Sequence, residues 1–278
     1  VKLGTCEAVN QLVRYGLCHS PSADMTSGAP GRYSAGPGAH AAVQRVMLRR
    51  MNPLALLPYA LAAAGGRVGE HSANALTAAG LTLLQRSARL VRLLAGKQAA
   101  ALLEQPHQWV VAFAASDGRA LVGLDPALPG DALAALCATH RVGAVFTTAA
   151  LASHLPAHVP RVLLDQVPRA AQLHVEAQTV TVDLGSHFAL ELVGGQEGEE
   201  SAGSTEPCYV EAVTGVLRSH GSLLLQARGN GSARRGMQGV PVAPGTALHD
   251  PSVLVAALLA PLLAGSTIPL EHAGDVVA

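Results

Sequence analysis

A chain of 278 residues, 49% hydrophobic and only 14% charged, can bury a sizeable core, which excludes disorder throughout. Its formal net charge of +0 and 3% aromatic content give no electrostatic or stacking basis for a nucleic-acid partner, and no electrostatic basis for an anionic membrane surface. The longest apolar runs, 53–64 and 253–264, fall short of the roughly 20 residues that a membrane span requires.

Residues 1–18 lack the apolar centre of a secretory signal, and 19–42 concentrate Ser, Pro, Gly and Ala, so 1–50 is expected to be a flexible tail and 51–278 the folded part. Cys6, Cys18, Cys137 and Cys208 show no metal-ligand spacing, which suits free thiols in a reducing cytoplasm. The spacing of Leu81, Leu84, Ala88, Val91 and Leu94 predicts one amphipathic helix over 78–94, stopped by Gly96. A helix or buried segment over 109–115 follows, then a buried strand over 120–124 and a break at Asp125-Pro126. Helix 130–140, strand 142–147, a short helix over 149–155 and a strand over 161–165 complete an alternation with continuously apolar strands. That alternation predicts an α/β fold, a layered and mostly parallel sheet flanked by helices. From 172 to 192, Val175, Val180, Val182 and Leu184 alternate with polar residues as half-exposed strands do, and 194–205 reads as a Gly/Glu/Ser loop.

Few residues carry chemistry. Ser219 precedes an apolar helical run and is placed to cap it, while His220 either orients a phosphate or fills the first turn. His249 and Asp250 precede Pro251, a helix-start signal before 253–264; they are a capping pair or contribute a pocket histidine. No GxSxG elbow surrounds Ser186, Ser204, Ser222, Ser232 or Ser266, and neither GxGxxG nor GxxxxGK[ST] occurs. His154 and His158 are four apart, but Pro156 lies between them, so no metal site is expected. Arg228, Arg234 and Arg235 read as a solvated basic group.

In order along 78–270, the chain resembles the N-terminal part of the adenylate-forming superfamily, the AMP-binding acyl-CoA synthetases and their relatives. Leu76-Thr77-Ala78-Ala79-Gly80-Leu81 and the following 88–94 are similar to that family's "LTYAEL…RLARLL", and Gly123-Leu124-Asp125-Pro126-Ala127-Leu128-Pro129 to its "PLDPALP". Val145-Phe146-Thr147-Thr148 resembles "VVFT"; Gly215-Val216, Ser219-His220 and Leu223-Leu224 have the spacing of "GV.LSH..LL"; 258–270 resembles "LLAPLLAGATVPL". The resemblance implies a carboxylate-activating ligase: acid plus ATP to acyl-adenylate, then a thioester, with ATP, Mg2+ and CoA as cofactors and a small carboxylic acid or acyl group as substrate. It also implies a place in fatty acid metabolism. It places Gly203, Ser204, Thr205 and Gly215 near phosphate and His249 in the acyl pocket.

Two departures qualify it. The family's phosphate loop, "TSGTTGxPKG", surrounds the ATP phosphates with amides, hydroxyls and a lysine. Counted back from Gly215 without a gap, Thr214 takes the lysine position and Glu211 a glycine position; pairing 201–205 with "TSGST" instead leaves Glu206 at the next glycine. In neither register is the lysine present, and Glu197, Glu199, Glu200 and Glu206 would repel phosphate within a Debye length of about 8–10 Å. The second departure is that Ala278 falls before the family's "YGxTE" motif, hinge and C-terminal domain, which implies a partial AMP-binding domain, inactive in isolation. The sequence leaves open a truncated or divergent ligase, a catalytically dead acyl- or protein-binding module of that fold, and an unrelated α/β protein of similar composition.

Overall fold

The computed structural model describes residues 56–116, 118–185, 205–232, 242–243 and 245–270. The expected tail over 1–50, Cys6, Cys18, Gly203, Ser204, Arg234 and Arg235 lie outside them.

The chain enters through helix α1 (Leu57–Ala63) and the short strands β1 (Arg67–Val68) and β2 (His71–Ser72). Helices α2 (Ala73–Arg86) and α3 (Ala88–Leu94) follow, then β3 (Gln98–Ala101), α4 (Pro106–Ala115), β4 (Leu121–Gly123), α5 (Gly130–Thr139), β5 (Val142–Thr147), α6 (Ala149–Ala152) and β6 (Arg161–Leu163). A hairpin, β7 (Ala170–Val175) and β8 (Gln178–Asp183), precedes β9 (Pro207–Glu211), β10 (Leu217–Ser219) and α7 (His220–Ser232). Last come α8 (Pro251–Val253), a wide π-helical stretch over Leu254–Leu259, α9 (Ala260–Leu263) and β11 (Thr267–Ile268).

Eight strands form one sheet in the order β10-β9-β4-β3-β5-β6-β7-β8. Neighbours from β9 through β6 are parallel, while β10 against β9, and β7 against both β6 and β8, are antiparallel. The sheet is therefore mixed, parallel at the centre and antiparallel at both edges. Its central strands are apolar on both faces because both are covered. Ala99, Ala101, Leu121, Phe146 and Tyr209 face a large cluster that includes Leu76, Leu83, Trp109 and Leu223. Ala100, Val122, Val145 and Val210 face a smaller one with Leu133, Cys137 and Leu151.

The helix expected over 78–94 is two helices. The first starts earlier, where the Ser72 hydroxyl accepts from the Ala75 amide at 3.1 Å. It ends at Ser87, whose backbone is non-helical and whose hydroxyl accepts from the Leu90 amide at 3.2 Å, capping α3. A serine oxygen that can satisfy orphan amides favours a break over continuation, a local contest invisible to apolar spacing. Within α2, Gly80 lets α4 approach: a Cβ there would lie 2.5 Å from the Val111 carbonyl oxygen. Three of the chain's few aromatic side chains form the centre of the core, with Trp109–Phe113 ring centroids 6.1 Å apart and each 6.4 Å from Tyr209.

A second small sheet, β11-β1-β2, carries the end of the described chain, and α7 packs on the π-helical stretch and α9. The Ser219 turn and the passage toward Ile268 thus belong to one side of the layered sheet.

Candidate functional site

In open sheets with a parallel centre, ligands gather at the carboxyl ends of the strands. There, β4 and β9 run side by side, with Leu121 opposite Tyr209 and Gly123 opposite Glu211. Tyr209 donates its phenolic hydrogen to the backbone carbonyl of His249, and its ring passes over Gly123, where a Cβ would lie 1.8 Å from the phenol oxygen. Glycine at 123 is what permits this crossing. Burial chiefly, with the charges of Asp250 and Glu211 adding to it, pushes the Tyr209 phenol far above its ordinary range, so it acts as a neutral donor.

The His249 ring stands near Asp125, two residues beyond β4: its Nε2 is 3.7 Å from Asp125 Oδ2, and both side chains are partly exposed. Asp125 also accepts from the Ala127 amide at 2.9 Å, fixing the turn that Asp125-Pro126 begins. Asp250 caps the following helix by accepting from the Ser252 and Val253 amides at 2.7 and 3.1 Å. Asp250 is thus the cap, and His249 stands at the carboxyl edge beside Asp125.

The β9–β10 connection is a tight turn over 212–216. Gly215, at φ 71, donates its amide to the Glu211 carbonyl at 2.8 Å, and the Glu211 amide donates to the Val216 carbonyl at 3.0 Å. The Thr214 hydroxyl donates to the Glu211 carboxylate at 2.7 Å, and the Val216 amide donates to Thr214 Oγ1 at 3.3 Å. From outside the hairpin, His140 Nε2 lies 2.8 Å from the Ala212 carbonyl oxygen. The amides of Gly215 and Val216 are spent inside the turn, and a carboxylate stands at its base.

Thr205 and Gly215, both expected near phosphate, flank opposite ends of β9: Thr205 precedes the strand and Gly215 follows it. At about 3.3 Å per residue the intervening strand spans about 16 Å. Gly215 shares the carboxyl edge with His249; Thr205 does not.

Ser219 is the helix cap that its position suggested, accepting from the Ser222 amide at 3.2 Å. His220 is buried, and its Nδ1 accepts the Leu57 amide at 3.0 Å, satisfying the first turn of α1. Burial lowers its pKa to about 4, so it is a neutral structural histidine, the second of its two sequence alternatives. Among the described residues no group of three or more His, Cys, Asp or Glu could hold a metal ion, and no helix is long and apolar enough to cross a membrane. Cys137 and Cys208 are free and buried, with burial pushing their thiols up to about 11 and about 12, so neither is a ready nucleophile. The sequence reading missed Tyr209; its one signal was an aromatic residue between Cys208 and Val210 in a chain with few aromatics.

No protein-family model matches the sequence, and no curated protein does. Solved structures do match by shape. A nonribosomal peptide synthetase in its AMPPNP-bound form aligns with a TM-score of 0.54 and 17% identity over 96% of this chain and 28% of its own. A Mycobacterium tuberculosis fatty acyl CoA synthetase aligns with a TM-score of 0.53 and 12% identity over 79% of this chain and 45% of its own. The N-terminal domain of FACL13 from the same organism gives 0.53 and 12% over 78% and 57%. The chain therefore has the fold of the N-terminal domain of adenylate-forming enzymes, and it spans less than two thirds of each of these structures.

Proposed function

We propose that this chain is a divergent form of the carboxylate-activating ligase domain, one that keeps the layered fold and an acyl-facing edge at His249 but does not form an acyl-adenylate by itself. The observation that carries this reading is the 212–216 turn. Where the ungapped register puts the end of the phosphate loop, the described residues offer a Glu211 carboxylate, a Thr214 hydroxyl bonded to it, and Gly215 and Val216 amides bonded back into the hairpin. A polyphosphate needs outward donors and positive charge. This turn carries no cationic side chain, its Gly215 and Val216 amides are bonded back into the hairpin, and the Glu211 carboxylate adds negative charge, so it is a poor match for the phosphates of ATP and their Mg2+.

The role that remains is binding: a small carboxylic acid or acyl group held near His249, whose ring is partly exposed beside Asp125. ATP–pyrophosphate exchange with a panel of aliphatic and aromatic acids tests the first half. Background exchange throughout is expected, and acid-dependent exchange would restore the ligase reading, with Gly203, Ser204, Thr205 and Gly215 as phosphate contacts and CoA as acceptor. Thermal shift with the same acids tests the second half. Stabilisation by one class of acid, lost in His249→Ala, is expected; no shift with any acid removes the binding role.

A further inference from the structure

Helix α7 is anchored along only part of its length. Beyond His220 its buried side chains are Leu223, Leu224 and Ala227, which join the large core cluster, whereas Arg228, Gly229 and Asn230 are exposed. The end of the helix therefore rests on its backbone hydrogen bonds. Two of its residues, Gly229 and Gly231, are poor helix formers, because glycine gives up the most backbone freedom on ordering. Such an end opens far more readily than the anchored turns before it. Between the two glycines stands Asn230, and Asn230-Gly231 is the only Asn-Gly pair in the chain.

We propose that Asn230 is a site of spontaneous deamidation, gated by the opening of the last turn of α7 and needing water alone. In the intact helix the Gly231 N–H is directed at the carbonyl one turn back and keeps its proton. Once the turn opens, that nitrogen loses its proton to solvent and attacks Asn230 Cγ, and residue 231 has no side chain to hinder it. The new N–Cγ bond closes a succinimide ring as the Cγ–Nδ2 bond breaks, and ammonia leaves with a proton from water. Water then adds to one of the two ring carbonyls. Attack at Cγ breaks the new bond and gives aspartate; attack at the backbone carbonyl breaks the original peptide bond and gives isoaspartate. Either product puts a carboxylate at the end of the helix where the macrodipole is already negative, and isoaspartate also lengthens the backbone, so the turn does not re-form. The converted chain keeps the anchor from Leu223 to Ala227 and loses the turn beyond it.

Peptide mapping by mass spectrometry of the full 278-residue chain, held for days in mildly alkaline buffer, is the test. The peptide spanning Asn230 should gain the mass that replaces NH2 by OH, split between aspartate and isoaspartate. Asn74, whose following amide is held by the Ser72 hydroxyl, should stay unchanged. Gly229→Ala leaves the Asn-Gly pair intact, finds open space for its Cβ and should slow the conversion about fivefold by holding the turn shut. Gly231→Ala also hinders the attack itself and should slow it further. In urea, where the helix is gone, the unmodified chain and Gly229→Ala should convert at the same rate, and faster than either does when folded. An Asn230 that stays intact in the folded chain overturns the proposal. So does a folded-state rate indifferent to Gly229→Ala.

Discussion

The Tyr209 phenol and the His249 carbonyl, 40 residues apart in sequence, are joined by a hydrogen bond that crosses over Gly123. This bond ties β9 to the loop that presents His249 at the carboxyl edge. Gly123→Ala should destabilise strongly, because the new Cβ meets the phenol oxygen. Tyr209→Phe should cost about 1–2 kcal/mol, the penalty for leaving the His249 carbonyl without its donor. In the double variant the phenol oxygen is gone, so the total should fall below the sum of the two. Urea unfolding of the four proteins measures that coupling; strict additivity would mean the crossing is not close.

Acid should weaken the fold through its buried histidines. His220 and His107 are both held at about 4, His220 by burial and His107 by burial first and the nearby His71 second. An unfolded chain takes up these protons near 6.5 and the folded chain does not. Their contribution is therefore intact above pH 6.5, is lost as pH falls from there toward 4, and levels off below. For His220 the loss amounts to about 3 kcal/mol across that window. His220→Leu should lower stability at pH 8, where the Leu57 amide loses its acceptor, and flatten the pH dependence; an unchanged slope between pH 6.5 and 4 would contradict the assignment.

Trp109 is fully buried among Phe113 and Tyr209, and its indole N–H donates to the Leu103 carbonyl at 3.1 Å. Trp109→Ala should cost about 3–5 kcal/mol in chemical denaturation. Trp109→Phe should cost less while still leaving that carbonyl unpaired.

The turn at 212–216 should be sensitive to its conformation and tolerant of lost charge. Gly215 has φ 71 and open space around its α-carbon, so Gly215→Ala should cost about 1 kcal/mol through backbone strain alone. Glu211→Gln keeps an acceptor for Thr214 and should change thermal stability by less than about 1 kcal/mol. A large loss on Glu211→Gln would mean the carboxylate does more than receive that hydroxyl.

The fold was largely legible because the central strands are short, apolar on both faces and separated by helical periodicity; β5 spans the same Val142–Thr147 that its apolar run predicts. The helix break at Ser87 and the antiparallel edges were not, since the first depends on one side-chain hydroxyl and the second on pairing partners far along the chain. At the site, Ser219 could be read from local capping rules. Tyr209 over Gly123 could not, because the contact joins two strands that are neighbours only once the sheet has formed. The placement of Thr205 and Gly215 at opposite ends of β9 likewise needed the strand between them, which the gapped and ungapped registers could not separate on their own.

The most direct test of the central claim is amide hydrogen exchange over residues 194–219 with and without millimolar Mg·ATP. The tight, self-bonded turn predicts identical exchange in both conditions. Slowed exchange confined to that stretch on adding nucleotide would show a phosphate-holding loop and contradict the account.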